Sequence, residues 1–170
     1  ENRLIAVRLS AQQLSDPRFD DPRALVRWMG AVQAQDYKAV RWAVGIRLRT
    51  ASLRAVNRAL ERGEILRTHV MRPTWHLVAA EDIRWMLRLS ARRIRSANSS
   101  LARSRGLGID DGMYSRSNRL IEKMLRGNLC LTKRQIADRF QAAGIAADTH
   151  FMTRYLMQAE ADGIVCSGPD

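Results

Sequence analysis

The chain has little cysteine, little proline and few aromatic residues: two cysteines, four prolines and 6% aromatics among 170 residues. Cys130 and Cys166 cannot form a disulfide framework, and no cysteine or histidine cluster has zinc-ligand spacing. A reducing cytoplasm is the expected compartment, and no metal is expected. No apolar run reaches the roughly 18 residues of a membrane span, and the N-terminus has no signal-like pattern, so neither membrane nor export is expected. A polybasic tail is also missing, because the positive charge is spread along the whole length.

Positive charge is abundant. The formal net charge is +12 and, with only three lysines, 26 of the 29 basic residues are arginine. A guanidinium donates two parallel hydrogen bonds, which suits phosphate and base-edge recognition. A GC-rich gene also raises arginine over lysine, so the net charge carries more of this reading than the arginine preference does. The expected partner is double-stranded DNA, with localisation in the cytoplasm at the nucleoid. At 46% apolar, the chain can bury a core in one compact domain or two small ones.

Helix signals dominate. Asp21-Pro22 reads as an N-cap followed by proline at the first helical position, with Ala24, Leu25, Trp28, Met29 and Val32 on one face. A second helix is expected over Ala39 to Leu48. Ser52 caps a third, with Leu53, Val56 and Leu60 inward and Gly63 as its stop. Ile65 to Val70 and Thr74 to Val78 read as strands around a Met71-Arg72-Pro73 turn. Three helices followed by a hairpin is the order of a winged helix. A long basic helix from Glu81 to about Arg103, a loop over Gly106 to Gly112 and a helix from about Met113 to Arg126 read as a connector.

The pattern then repeats. Leu129-Cys130-Leu131 reads as a short strand, Thr132 and Gln135 as a capping box, and Lys133 to Ala142 as a helix. Asp148 caps a last helix to Asp162, Ile164-Val165-Cys166 begins a strand, and Ser167-Gly168-Pro169-Asp170 is turn chemistry. The expected fold is mainly α with small β-hairpins: tandem winged-helix units joined by a helical connector. The expected boundaries are 1–80 for the first unit, 81–127 for the connector and 128–170 for a second unit truncated in its wing. A strand at Ile164–Cys166 without a return strand would be an unpaired edge. Together with a start at Glu1 rather than methionine, this reads as the N-terminal part of a longer protein.

Two segments carry chemistry: Gln33-Ala34-Gln35-Asp36-Tyr37, at the expected end of a helix, and Leu66-Arg67-Thr68-His69-Val70-Met71-Arg72-Pro73-Thr74-Trp75-His76-Leu77-Val78. Together they resemble the bacterial family of tandem winged-helix proteins that includes the azinomycin-resistance DNA glycosylase. The resemblance runs from about Leu4 to Pro169 and implies a third winged helix beyond this chain. It places the family's Gln-apolar-Gln catalytic pair on Gln33 and Gln35. The implied activity is monofunctional base excision, because no lysine is placed for a Schiff base, and no cofactor is implied. The alternative is a non-enzymatic winged-helix DNA-binding protein such as a transcriptional regulator.

Residues i and i+2 share a side in extended backbone but diverge by about 200° on a helix. The two glutamines therefore converge only if the helix ends near Val32. A glutamine amide is no strong base, but an alkylated purine is already cationic and leaves readily. The site then needs mainly to position a water, one amide orienting it while the other holds sugar or phosphate. Helix C-capping or turn hydrogen bonding is the bland account of the same two residues. Asp36 faces the other way from Gln35 in an extended chain.

Candidate DNA contacts are Arg54 and Arg58 on the first recognition helix, and His150, Thr153 and Arg154 on the second. Arg72 in the hairpin turn is another, while Arg67 and Thr74 follow from the family block as supports for Gln35. His69 and His76 lack further ligands for zinc and are expected to hydrogen-bond within the hairpin or touch phosphate. Trp28, Trp42, Trp75 and Trp85 fall at amphipathic positions and are expected in the core.

Overall fold

A computed structural model describes residues 2–127 and 129–168. The elements run α1 (Asn2–Ala11), α2 (Pro22–Met29), β1 (Ala31–Gln33), α3 (Tyr37–Gly45), α4 (Leu53–Glu61), β2 (Ile65–Val70), β3 (Thr74–Ala79), α5 (Ile83–Ser104), α6 (Asp111–Met124), α7 (Lys133–Ala142) and α8 (Thr149–Ala161). The fold is mainly helical with one small sheet, of strand order β1-β3-β2. The chain divides into two compact units. One comprises the residues up to Thr68, Thr74–Ile83 and Ser167 onward; the other comprises His69–Pro73 and Arg84–Cys166.

In the first unit, local chemistry sets each element. Asp21 accepts hydrogen bonds from the backbone of Arg23 and Ala24, and Pro22 opens α2. Leu25 and Val26 are fully buried there, against Val40, Val44 and Leu48 around α3 and Val56, Ala59 and Leu60 of α4. Ile65 of β2 and Leu77 of β3 close this core.

α2 stops at Met29, earlier than its apolar repeat suggests. Gly30 sits at φ 75° and its N–H returns to the Arg27 carbonyl, a left-handed stop that glycine takes readily. Beyond Gly30 the backbone is extended. β1 pairs antiparallel with β3 in the register Ala31↔Val78, Val32↔Leu77 and Gln33↔His76. Gln33-Ala34-Gln35 therefore lies at the end of a strand and not, as expected, at the end of a helix. α3 likewise starts at Tyr37 and stops at Gly45, shifted towards the N-terminus from the expected Ala39–Leu48 because Asp36 caps it.

In the second unit, Tyr155 of α8 is fully buried amid Tyr114, Phe140 and Phe151, with ring centroids 6.1, 5.6 and 6.0 Å away. Thr132 and Gln135 form the expected capping box of α7. Asp110 caps α6 by accepting from Met113 N at 2.7 Å, so this helix begins two residues before Met113. Two strand assignments fail: Leu129–Leu131 and Ile164–Cys166 are irregular. Ile164 and Val165 pack against the aromatic core instead, and Ser167 of the first unit makes a single antiparallel bridge to Arg67. Pro169 and Asp170 of the expected turn lie outside the described residues.

The expectation of core tryptophans is also corrected. Trp28, Trp42 and Trp85 are 51%, 62% and 47% exposed, and only Trp75 packs partly against the core. On α3 the inward positions are Val40 and Val44, so Trp42, midway between them, points away. α1, for which the sequence offered no signal, is a helix without a buried residue.

Candidate active site

The described Gln33-Ala34-Gln35 segment alternates exposed, buried, exposed, with Ala34 at 0%. In extended backbone that alternation sends Ala34 into the core and both glutamines to the opposite, solvent-facing side. The register carries Thr74 and His76 of β3 to the same face as Gln33, while Trp75 and Leu77 turn towards the core.

The ladder is broken at this point in an instructive way. Ala34 N donates to Trp75 O at 2.7 Å, as an antiparallel pair requires. The reciprocal bond would run from Trp75 N to the Ala34 carbonyl. Arg67 occupies that carbonyl instead, with Nε at 3.1 Å and Nη2 at 2.9 Å, and Nη2 also reaches Gln35 O at 3.4 Å. Trp75 N turns to the Gln35 side chain, donating to Oε1 in a long bond of 3.4 Å.

Arg67 is itself held between aromatic faces. Its guanidinium lies 4.3 Å from the Trp75 ring centroid and 5.4 Å from that of Tyr37, which Arg41 covers at 4.5 Å. Arg67 thus fixes the backbone from which the two glutamine side chains project. The sequence assigned Arg67 to the site but missed Tyr37 and Trp75 as its supports. The Tyr37–Arg41 spacing of i, i+4 was the available signal.

Asp36 is a structural residue. Its Oδ1 accepts from Ala39 N at 2.9 Å and caps α3. Asp36→Ala is expected to cost about 1 kcal/mol of stability in thermal unfolding, and Asp36→Asn to keep most of it. A reactive carboxylate would instead lose activity in both variants.

The other candidates fall in two groups. Arg54 and Arg58 are exposed on α4, Arg72 is exposed in the hairpin turn next to Met71 at φ 64°, and Thr74 is half-buried at the start of β3. His150 is exposed and accepts from Arg105 Nη1 at 2.6 Å through Nδ1. Thr153 donates to Thr149 O at 2.7 Å and accepts from Lys133 Nζ at 3.2 Å. Arg154 departs from expectation: it is only 7% exposed, and burial, with the nearby Arg105 charge second, lowers its pKa. Its Nη1 has no hydrogen-bond partner among the described residues, so it is an interior residue and not part of a solvated recognition face.

His76 Nδ1 lies 2.9 Å from Thr74 O, a bond within the hairpin. His69 is buried in the second unit, where Glu160 accepts from its backbone N–H and pairs with its ring Nδ1. No group of three or more potential metal ligands occurs among the described residues, nor is any described helix long and apolar enough to cross a membrane.

With this geometry in place, comparison with known proteins supplies the class and then the family. The chain is similar in structure to a Streptomyces sahachiroi DNA glycosylase AlkZ, with a TM-score of 0.75 and 22% sequence identity over 96% of this chain and 44% of that one. At that identity the likeness establishes the fold, and the chain spans 44% of the length of that protein. Among curated proteins no match is found. The family model for DNA glycosylase AlkZ-like matches residues 26–170, and the chain belongs to this family.

Proposed function

We propose that the protein carrying this chain is a monofunctional DNA glycosylase that excises alkylated, cationic bases from double-stranded DNA. Membership of the AlkZ-like family supports the class. The observation that carries the chemistry is the display of Gln33 and Gln35 on one solvent-facing side, with the intervening backbone clamped by Arg67. Base loss from a cationic nucleoside needs little acid assistance, because the departing base takes up the bonding pair and becomes neutral. The remaining demand is a water held in line with C1′ and a donor that steadies sugar or phosphate.

Helices α2, α3 and α4 followed by the β2–β3 hairpin, with β1 completing the sheet, support a winged-helix reading of the first unit. α6, α7 and α8 supply the helices of a second, with α5 as part of the connector. Arg54 and Arg58 of α4, Arg72 of the hairpin turn, and His150 and Thr153 of α8 are the proposed DNA contacts. α5 adds exposed Arg84, Arg88, Arg92 and Arg93 and contains no acidic residue, which suits a polyanion. No metal or cofactor is invoked, and a cytoplasmic, nucleoid-associated location follows from the substrate.

The test is incubation of the full-length protein with duplexes carrying 7-methylguanine, a neutral lesion such as uracil, or no lesion. Free 7-methylguanine and an abasic site are expected from the first duplex alone. Tight binding to an operator-like sequence with no base release would place the protein among non-enzymatic regulators.

A further inference from the structure

We infer that His76 is a third member of the site and accepts the proton of the attacking water; this rests on the glycosylase reading above. The hydrogen bonds determine what each group can offer. Gln35 Oε1 accepts from Trp75 N at 3.4 Å, which leaves its amide N–H groups to donate to sugar or phosphate. A water that attacks carbon must give up a proton, and an amide oxygen is too weakly basic to take it. Gln33 Oε1 can orient that water but is too weakly basic to remove the proton.

His76 has the missing property. Its Nδ1 faces the Thr74 carbonyl at 2.9 Å, and a carbonyl only accepts, so the proton of the neutral ring resides on Nδ1. Nε2 is then a lone-pair acceptor. His76 stands directly opposite Gln33 in the register. Because Ala34 and Trp75 form the hydrogen-bonded pair next to it, Gln33 and His76 form a pair of the other kind, with Cα atoms about 4.5 Å apart and side chains closest together. The pleat projects both from one face, and His76 is only partly buried there.

Nearby charges are committed elsewhere. β1 carries no charged residue; on β2, Arg67 grips the Ala34 carbonyl and His69 pairs with Glu160. α2, which packs on β3, directs Arg23 and Arg27 to Glu81.

The step balances. Water oxygen bonds to C1′ while the C1′–N9 pair of 7-methylguanine returns to the base, which leaves neutral. One water proton passes to His76 Nε2, and the imidazolium later releases it to solvent, leaving the C1′ hydroxyl of an abasic site.

The test uses the full-length protein and a 7-methylguanine duplex, measuring single-turnover base release at saturating DNA and neutral pH, corrected for spontaneous loss. His76→Ala is expected to lose roughly 10²-fold with unchanged DNA affinity. His76→Gln, which keeps a weak acceptor at the same place, is expected to be intermediate. A wild-type rate in His76→Ala, or equal rates in the two variants, would overturn the assignment. Loss of release in Gln35→Ala beside an undiminished His76→Ala removes His76 alone, whereas no release by the wild type removes the glycosylase reading and this inference together.

Discussion

Gln35→Ala in the full-length protein is expected to slow base release by roughly 10²-fold while leaving DNA affinity nearly unchanged. The magnitude is that of losing a group that holds sugar or phosphate in the geometry of attack. The effect belongs in the rate at saturation, because the amide aligns C1′ with the attacking water and adds little to the grip on DNA. Gln35 is exposed and the bond its side chain makes to the fold is long, 3.4 Å to Trp75 N, so its loss costs little stability. Single-turnover release measured beside fluorescence anisotropy separates these outcomes. Weakened binding with an unchanged saturated rate would make Gln35 a binding residue only.

Arg67→Met has the second large effect, by another route. It leaves the Ala34 carbonyl without the two guanidinium donors at 2.9 and 3.1 Å, in a partly buried position. A stranded acceptor of this kind costs about 1–3 kcal/mol, which should appear as a lower melting temperature of the first unit. The backbone bearing both glutamines is then no longer held, and a displacement of about 1 Å in a positioned group can cost on the order of 10²-fold in rate. Arg67→Lys is expected to recover little, since an ammonium gives up both the forked pair of donors and the stacking between Trp75 and Tyr37. Substantial recovery by lysine would show that charge, not the clamp, is what the site requires.

The readable parts of the sequence were those set by local chemistry. Asp21-Pro22, Ser52, the Thr132–Gln135 box and Asp148 mark helix starts through bonds between neighbours in the chain, and the structure contains each of them. The hairpin was visible because two short extended runs flank a turn at Met71. β1 was not, since three residues have no periodicity and become a strand only through β3, some forty residues away. Apolar character at Val32 suggested that α2 continues past Gly30, where the left-handed glycine ends it.

At the site, the identity of the glutamines came from the motif and the family block, while their common side depended on that unrecognised strand. The Gln33–His76 pairing is a matter of register, which no local pattern encodes. Arg154 was misplaced for a related reason. Alternating polar and apolar residues around α8 left its buried arc ambiguous, and the choice was made by aromatic packing about Tyr155.

What separates the proposed enzyme from a non-enzymatic DNA-binding protein is whether Gln33 and Gln35 perform chemistry. The most direct measurement is single-turnover release of 7-methylguanine at saturating enzyme by the wild type and by the Gln33→Ala/Gln35→Ala double variant, with occupancy of the same duplex recorded in parallel. Full occupancy is expected in both, and release in the wild type alone. Equal release by the double variant, or full occupancy without release by the wild type, would refute a catalytic role for the pair.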